Sequence, residues 1–376
     1  MNQIAILTTD DHLVDMLRTL GLKSGRIDTT ELAAFTRASL APHVLVVDAR
    51  GRDHLPPGLS AFRRQHPSTG AVLVVSSLDP RLMLEAMRAG VGECVTEPLT
   101  PQALDAAVRR VLTNTTEAAG QVFAFVGAKG GVGTTTMAVN TAAALGRIAK
   151  GEVLLIDMHL AHGDGAVFLG VEPRFSVIDA LENVHRMDES FFGGVVEKTD
   201  IGVHLLASSP RPRQVPIDAI KIRGLIDAAS RMYRMSVLDV PRSDMTMLDS
   251  LDTATSIVVV TSQEIAALRN AANMAETLRA RYGTNRVKVA INRFHRESVI
   301  AHADIERAVG GTVEHLIPSD YRSAIEALNA GRPLAMDRES KLGMAFESFA
   351  KDLAGVAKEQ VERPSGVLGR LAWRRA

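Results

Sequence analysis

Short apolar segments alternate with longer amphipathic stretches over residues 1–112. The apolar segments cover residues 4–7, 44–47, 71–75 and 93–95. They are strand-sized, whereas the stretches between them, such as residues 12–20, carry apolar residues at helical spacing. This alternation predicts a small α/β domain with a parallel sheet.

A second series of apolar segments follows in residues 121–362. It comprises residues 122–126, 153–156, 203–206, 236–238, 256–260, 287–291 and 313–317. Because these segments show little alternation of apolar and polar residues, we expect strands covered on both faces, and hence a mostly parallel, doubly wound α/β sheet. Ligands bind such sheets at the carboxyl ends of the strands.

Two further segments differ from both series. Residues 113–120 are small and polar without periodicity, which predicts an interdomain linker. A helical pattern over residues 339–361 closes the second domain, and the tail 363–376 carries four arginines, a tryptophan and no acidic residue. This tail suits peripheral contact with a membrane, and a frayed, solvated end is the alternative.

Composition and charge exclude several classes of protein. The chain has 43 basic and 43 acidic residues and a formal net charge of zero, so nucleic acid is not an expected partner. Its 46% hydrophobic and 23% charged residues exclude disordered and collagen-like classes. The single cysteine, Cys94, excludes an internal disulfide and a cysteine-built zinc site, and together with the absence of a long apolar run it predicts a cytoplasmic protein.

A glycine-rich loop follows the segment 122–126 directly and precedes a helical run over residues 137–145. The loop reads Gly127, Ala128, Lys129, Gly130, Gly131, Val132, Gly133, Thr134, Thr135 and Thr136. Glycines leave backbone N–H groups free to surround phosphate oxygens, and the helix N-terminus adds partial positive charge. The order strand, glycine loop, helix therefore predicts a phosphate site, with a tight turn that holds nothing as the alternative.

The loop departs from the general nucleotide loop, G-x-x-x-x-G-K-[ST], at two positions. Ala128 replaces the first glycine, and Thr134 replaces the lysine that stabilises charge during phosphoryl transfer. Charge-assisted hydrogen bonds contribute about 1.5–3 kcal/mol, so the loss of the lysine predicts weaker binding and feeble hydrolysis.

The run from Lys129 to Thr136 resembles the deviant Walker A motif of the MinD/ParA family. This resemblance implies a P-loop NTPase-like domain that binds ATP and Mg²⁺ through residues 129–136. It also implies that Lys129 reaches the phosphates of a partner subunit, so that ATP produces a homodimer, and that the Thr135 hydroxyl is a ligand of Mg²⁺.

Further residues at strand ends extend the resemblance over more than 200 residues. Asp157 begins a segment similar to the family's Asp-x-Asp switch motif, with His159 at the second acidic position, which implies a catalytic role for Asp157 beside Lys129. Asp239 precedes Val-Pro, as in a Walker B motif, which implies a water-mediated contact with Mg²⁺. Asn292 and Arg293 resemble the base-reading pair, and Pro318 belongs to a similar base-side loop.

His159, His162 and Asp164 raise a separate possibility of metal binding. The pattern His-x-x-His-x-Asp supplies three ligand types. A solvated loop is the alternative that we favour, because both histidines fall in the switch-like segment.

Residues 1–112 resemble a receiver domain of flavodoxin-like fold. Asp10 and Asp11 follow the first strand, Asp48 ends the second predicted strand, and Glu97 precedes a proline at the position of a lysine in active receivers. The resemblance makes Asp48 a candidate phosphoacceptor. Because Glu97 would repel a phosphoryl group, we favour a degenerate docking module over phosphorylation at Asp48.

The combination of a degenerate receiver and a lysine-lacking loop resembles the TadZ/CpaE family. That resemblance implies an ATP-binding scaffold for Tad/Flp type IV pilus assembly, located at the cell pole and peripheral to the inner membrane. Its expected partners are the pilus secretion ATPase and inner-membrane Tad components. One alternative is an active MinD/ParA-type ATPase in partitioning or septum positioning, and another is a phospho-signalling effector switched at Asp48.

Overall fold

The computed structural model describes residues 3–19, 23–27, 32, 42–66, 69–116, 120–149, 153–211, 217–313 and 315–355. These residues form two sheets, each flanked by helices. The chain is thus an α/β protein, as the sequence predicts.

The first sheet contains five parallel strands. They are β1 (Gln3–Leu7), β2 (Lys23–Ile27), β3 (Val44–Asp48), β4 (Gly70–Val75) and β5 (Glu93–Thr96). Their order, β2-β1-β3-β4-β5, is the doubly wound order of flavodoxin-like sheets. β2 was not predicted, because its sequence Lys-Ser-Gly-Arg-Ile has one apolar residue and it lies at the edge of the sheet.

Helices cover both faces of this sheet. They are α1 (Asp11–Thr19), α2 (Leu59–Gln65), α3 (Pro80–Arg88) and α4 (Pro101–Thr116). Ile4 and Ile6 of β1 belong to a core shared with α1 and α4, whereas Ala5 and Leu7 belong to a core shared with α2 and α3. The alternation along β1 therefore divides the core into two halves.

The second sheet has eight strands, seven of them parallel. They are β6 (Gln121–Gly127), β7 (Val153–Asp157), β8 (Glu197–Lys198), β9 (Val203–Leu206), β10 (Met235–Val240), β11 (Ser256–Thr261), β12 (Val287–Phe294) and β13 (His315–Pro318). Their order is β13-β12-β11-β6-β10-β7-β9-β8, with β8 antiparallel to β9. The mostly parallel, doubly wound sheet that the sequence predicts is confirmed.

Ten helices accompany the described part of this sheet. They are α5 (Thr134–Ala149), α6 (Gly165–Leu169), α7 (Val177–Glu182), α8 (Glu189–Val195), α9 (Ala219–Met232), α10 (Met245–Leu248), α11 (Ile265–Tyr282), α12 (His302–Val309), α13 (Tyr321–Asn329) and α14 (Lys341–Ala354). Short 3₁₀ turns occupy Val184–Arg186, Thr284–Arg286 and Leu334–Met336. No described helix is long and apolar enough to cross a bilayer.

The ends of the two predicted domains differ in detail from the sequence patterns. Residues 113–116, predicted as the start of the linker, are the last turn of α4, because neither glycine nor proline interrupts the helix there. Gly120 already contacts the second α/β unit, since its N–H donates to the carbonyl of Ser230 in helix Ala219–Met232 over 2.6 Å. The basic tail predicted over residues 363–376 lies outside the described residues.

Strand order brings the candidate site residues to one edge of the second sheet. β6 lies between β10 and β11, and β7 lies on the other side of β10. Asp157 and Asp239 are direct cross-strand partners at the carboxyl ends of β7 and β10. This edge therefore combines the glycine loop with two acidic strand ends.

Candidate functional site

The glycine loop connects β6 to α5 at the centre of the sheet. Gly131 and Gly133 have φ angles of 81° and 87°, in the left-handed region that glycine favours. A Cβ atom on Gly133 would lie 2.3 Å from Nδ2 of Asn292, so this close approach also requires glycine. The structure thus contains the predicted turn, with Thr134, Thr135 and Thr136 in the first turn of α5.

An open cleft with an empty volume of about 1050 Å³ lies against this loop. Its wall combines loop residues with Asp239, His159 and Arg293. A neighbouring cavity is lined by Asn292, Arg293 and Pro318 and shares Thr136 with the cleft. The predicted phosphate side and base side therefore lie next to each other.

Thr135 and Asp239 are in direct contact. The Thr135 hydroxyl donates to Oδ2 of Asp239 over 2.6 Å. Oδ1 of this fully buried carboxylate has no hydrogen-bond partner among the described residues. Burial, followed by the charge of Asp157, raises the pKa of Asp239 to about 6.

A hydroxyl beside a buried carboxylate with an unpaired oxygen fits a hard divalent cation such as Mg²⁺. Such a cation, held by Thr135 and Asp239, would neutralise phosphate charge in the cleft. The residues themselves fix the position of the carboxylate through the 2.6 Å hydrogen bond.

Asp157 is surrounded by the loop that follows β7. Its Oδ1 accepts from the backbone N–H of His159 at 3.1 Å and lies 2.9 Å from Nδ1 of the His159 ring. Its Oδ2 accepts from the N–H of Gly165 at 3.1 Å. The hydrogen bond with Asp157 raises the pKa of His159 above its ordinary value.

The structure does not bring His159, His162 and Asp164 together as one group. Among the described residues, the three side chains close enough to share a cation are Asp157, His159 and Asp239. His162 and Asp164 are exposed, in agreement with a solvated loop at those two positions.

Lys129 has a partner that the sequence did not suggest. Its side chain is 45% exposed, and Nζ lies 3.1 Å from Oε2 of Glu264, the N-cap residue of α11. The hydrogen bond from Lys129 lowers the pKa of Glu264. Glu264 is distant in sequence and belongs to no motif, so only the tertiary structure identifies it.

The Asn292 side chain is hydrogen-bonded to the glycine loop. Its Nδ2 donates to the Val132 carbonyl over 2.9 Å, and its Oδ1 accepts from the N–H of Arg293 over 3.0 Å. Arg293 has a φ angle of 57°, which turns the chain at the end of β12. The Asn292 side chain is buried, and its amide retains one hydrogen beyond the bond to Val132.

A cluster of acidic side chains in the first sheet surrounds an arginine that the sequence analysis missed. Arg50 lies 2.6 Å from Asp10, 2.8 Å from Asp48 and 3.5 Å from Glu97. Thr8 also donates to Asp48, over 2.6 Å. Asp11 lies elsewhere, paired with Arg26 at 2.7 Å. An arginine two residues after the strand-end aspartate was the available sequence signal.

The guanidinium favours the charged forms of the two aspartates in this cluster, Asp10 and Asp48. The hydrogen bond from Arg50 lowers the pKa of Asp10. Burial alone would raise the pKa of Asp48, but hydrogen bonds from Arg50 and Thr8 outweigh it and hold that pKa below its ordinary value. Asp10 and Asp48 therefore carry their charges beside an internal cation.

Comparison with known proteins identifies relatives of the second sheet. No protein-family model matches the chain. A septum site-determining protein MinD of Chlorella vulgaris is 28% identical over 245 residues, covering 62% of this chain and 85% of the relative. A ParA-family ATPase structure from Chlorobium tepidum is 26% identical, with a TM-score of 0.57, and covers 62% of this chain and 99% of that one.

Two MinD structures share the fold at 23% identity and a TM-score of 0.55. One is the MinC:MinD complex of Aquifex aeolicus, covering 63% of this chain and 97% of that one. The other is MinD complexed with Mg-ADP from Pyrococcus horikoshii, and the match covers 64% of this chain and 99% of that one. Over about 62% of its length, this chain is therefore homologous to the P-loop ATPases of the MinD/ParA type.

Proposed function

We propose that this protein is an ATP·Mg²⁺-binding, dimerising scaffold that hydrolyses ATP weakly or not at all. The observation that carries the proposal is the 2.9 Å contact between His159 and Asp157. The nucleotide-binding residues of the glycine loop are present. At the second acidic position of the switch motif, however, the chain has the imidazole of His159 and no carboxylate. ATP then acts mainly as a structural switch.

Thr134 supports slow hydrolysis independently. A neutral hydroxyl in the first turn of α5 offers a hydrogen bond without the full charge of a lysine. A charge-assisted bond contributes about 1.5–3 kcal/mol, and a loss of that size in the transition state slows the reaction by about 10- to 100-fold.

Lys129 supports dimerisation on ATP. Its partner Glu264 is 61% exposed, so water screens the ion pair and little free energy holds the lysine in the free chain. We propose that Lys129 leaves Glu264 and contacts the phosphates bound by a second copy of the chain. Asp157 is proposed to act with it in whatever hydrolysis occurs.

For the biological role we propose assembly of a Tad/Flp type IV pilus at the cell pole, with the pilus secretion ATPase and inner-membrane Tad components as partners. This role rests on the combined resemblance of the two α/β units. Septum positioning or partitioning by an active ATPase is the second candidate, and the MinD relatives favour it.

Steady-state ATP turnover separates these two candidates. The scaffold proposal predicts that wild-type protein binds ATP·Mg²⁺ but turns it over slowly at most, so that Lys129→Ala removes only a small residual turnover. Robust turnover that Lys129→Ala abolishes would establish the active ATPase instead.

For the first sheet we propose a receiver-like docking module that does not accept phosphate. Arg50 supports this proposal, because its guanidinium already satisfies Asp48 at 2.8 Å and Asp10 at 2.6 Å. If acetyl phosphate modifies wild-type protein but not the Asp48→Ala variant, the phospho-signalling alternative is correct. Identical behaviour of the two proteins supports the docking module.

A further inference from the structure

We infer that Arg242 contacts the phosphates of the bound nucleotide and supplies the positive charge that the glycine loop lacks at Thr134. None of the sequence motifs includes Arg242, which lies two residues after β10 ends at Val240. The inference rests on the proposed nucleotide site and adds to it a residue that selects the triphosphate.

The position of the absent loop lysine holds no charge. Thr134 is half-buried, and its hydroxyl lies against the base of the loop, where a Cβ on Gly127 would lie 2.3 Å from Thr134 Oγ1. A nucleoside triphosphate carries several negative charges, and charge-assisted hydrogen bonds to phosphate are about twice as strong as neutral ones. The cleft therefore needs a cation from another part of the chain.

Among the described residues, three lysine and arginine side chains line the cleft, namely Lys129, Arg242 and Arg293. Lys129 is paired with Glu264 at 3.1 Å. Its hydrogen bond lowers the pKa of Glu264, and the charge of Arg293 adds to that effect, so Arg293 also lies near Glu264. Arg293 lines the base-side cavity as well. Arg242 is thus the cation that remains for the phosphates beside Asp239.

A tight turn positions Arg242 next to the candidate cation site. Residues 241–244 form this turn, which is closed by a 3.3 Å hydrogen bond from the Asp244 N–H to the Pro241 carbonyl. The Asp244 side chain also caps α10. The backbone of Arg242 is therefore fixed between β10 and α10, three residues beyond Asp239.

The Arg242 side chain is available to a ligand. It is exposed, and no described residue forms an ion pair or hydrogen bond with it. By contrast, two other arginines near α10 are already engaged, since Arg223 pairs with Asp252 at 2.7 Å and Arg281 pairs with Asp249. A planar guanidinium can donate two parallel hydrogen bonds to one phosphate. Arg242 thus keeps these donors for a phosphate in the cleft.

Calorimetric titration of the full-length protein with ATP·Mg²⁺ and with AMP tests the inference. Arg242→Gln removes the charge and keeps a polar side chain. Arg234→Gln is the matched control, because this exposed arginine directly precedes β10, at the opposite edge of the sheet from the cleft. Arg242→Lys keeps the charge without the planar guanidinium. Thermal unfolding checks that each variant is folded.

We expect Arg242→Gln to weaken ATP·Mg²⁺ binding by about tenfold, because one charge-assisted contact is lost. AMP binding should change by less than about twofold, since the neighbouring cation site serves the β- and γ-phosphates. Arg242→Lys is expected to retain part of the affinity, and Arg234→Gln to bind as wild type. The same loss is expected when Arg242→Gln is combined with Lys129→Ala, because the contact lies within one chain.

Three results would overturn the inference. They are equal losses in Arg242→Gln and Arg234→Gln, a loss as large for AMP as for ATP·Mg²⁺, and a loss that disappears when Lys129→Ala is also present. The last result would show that Arg242 acts only across a dimer.

The same titrations separate this inference from the proposed function. If wild type and Arg242→Gln bind ATP·Mg²⁺ with equal affinity, the inference about Arg242 fails and the nucleotide proposal stands. If neither wild type nor Arg234→Gln binds any nucleotide, the nucleotide proposal itself fails, and the inference about Arg242 fails with it.

Discussion

The Thr135 hydroxyl donates to Asp239 over 2.6 Å, which joins the first turn of α5 to the end of β10. The two residues are 104 positions apart in the sequence, yet they form the part of the cleft that best fits a cation. Their contact makes the glycine loop and the acidic strand end a single unit.

Thr135→Val is expected to remove the hydrogen bond to Asp239 while keeping a side chain of similar size at position 135. Both oxygens of a buried carboxylate would then lack a hydrogen-bond donor, which costs about 1–3 kcal/mol of unfolding free energy. Magnesium-dependent ATP binding is expected to fall at the same time. Thermal unfolding and calorimetry check both effects, with Thr135→Ser as the control that retains the hydroxyl. Equal behaviour of the Val and Ser variants would contradict the prediction.

Asp239 predicts a specific pH dependence of stability. Its pKa is raised from 3.8 to about 6 in the folded chain, so the unfolded chain ionises first and the fold loses stability as pH rises through this window. Asp239→Asn removes this loss, which amounts to about 2–3 kcal/mol above pH 6.

Unfolding curves in EDTA measured between pH 4 and pH 8 test this sign. The variant is expected to be more stable than wild type at the upper end of the range, with the difference shrinking toward pH 4 as both unfolded and folded Asp239 become protonated. A wild type that is more stable than Asp239→Asn at pH 8 would show that Asp239 is not destabilised by burial.

Arg50→Ala is expected to destabilise the acidic cluster at the end of the first sheet. Asp10, Asp48 and Glu97 would lose their common cation, which costs about 1–3 kcal/mol and increases hydrogen exchange in β1 and β3. Mg²⁺ should then stabilise the variant but not wild type. Arg26→Ala is the control, because its ion pair with Asp11 is exposed. Equal hydrogen-exchange rates in β1 and β3 of the two variants would show that Arg50 does not stabilise the cluster.

Glu264→Gln is expected to favour the dimer by releasing Lys129. The gain in dimer affinity at limiting ATP should be small, below about fivefold, because the ion pair is exposed. Glu326→Gln, which breaks a comparable exposed pair with Arg322, serves as the control. Size-exclusion chromatography with light scattering measures the effect, and weaker dimerisation of Glu264→Gln would mean that Glu264 assists closure.

The sequence predicts the parts of the fold and site that depend on local pattern. The glycine loop, Asp157 and Asp239 follow from strand-end and turn chemistry, and the structure brings them to one edge of the sheet. By contrast, Arg50 and Glu264 acquire their roles from partners distant in the sequence, up to 135 positions away.

Weak local signals account for the remaining differences. Edge strand β2 has one apolar residue, so periodicity cannot detect it. The polar residues 113–116 resemble a loop in composition, but nothing in them stops a helix that has already begun. Among the described residues, His159 lies with the strand-end aspartates Asp157 and Asp239, whereas His162, predicted with it from the sequence spacing, is exposed and is not part of that group.

Sedimentation velocity with and without ATP·Mg²⁺, supported by calorimetry on the same samples, tests the central claim most directly. We expect heat on mixing and a shift from monomer to dimer mass in wild type, with heat but no mass shift in Lys129→Ala. A chain that stays monomeric and produces no heat with any nucleotide would contradict the account.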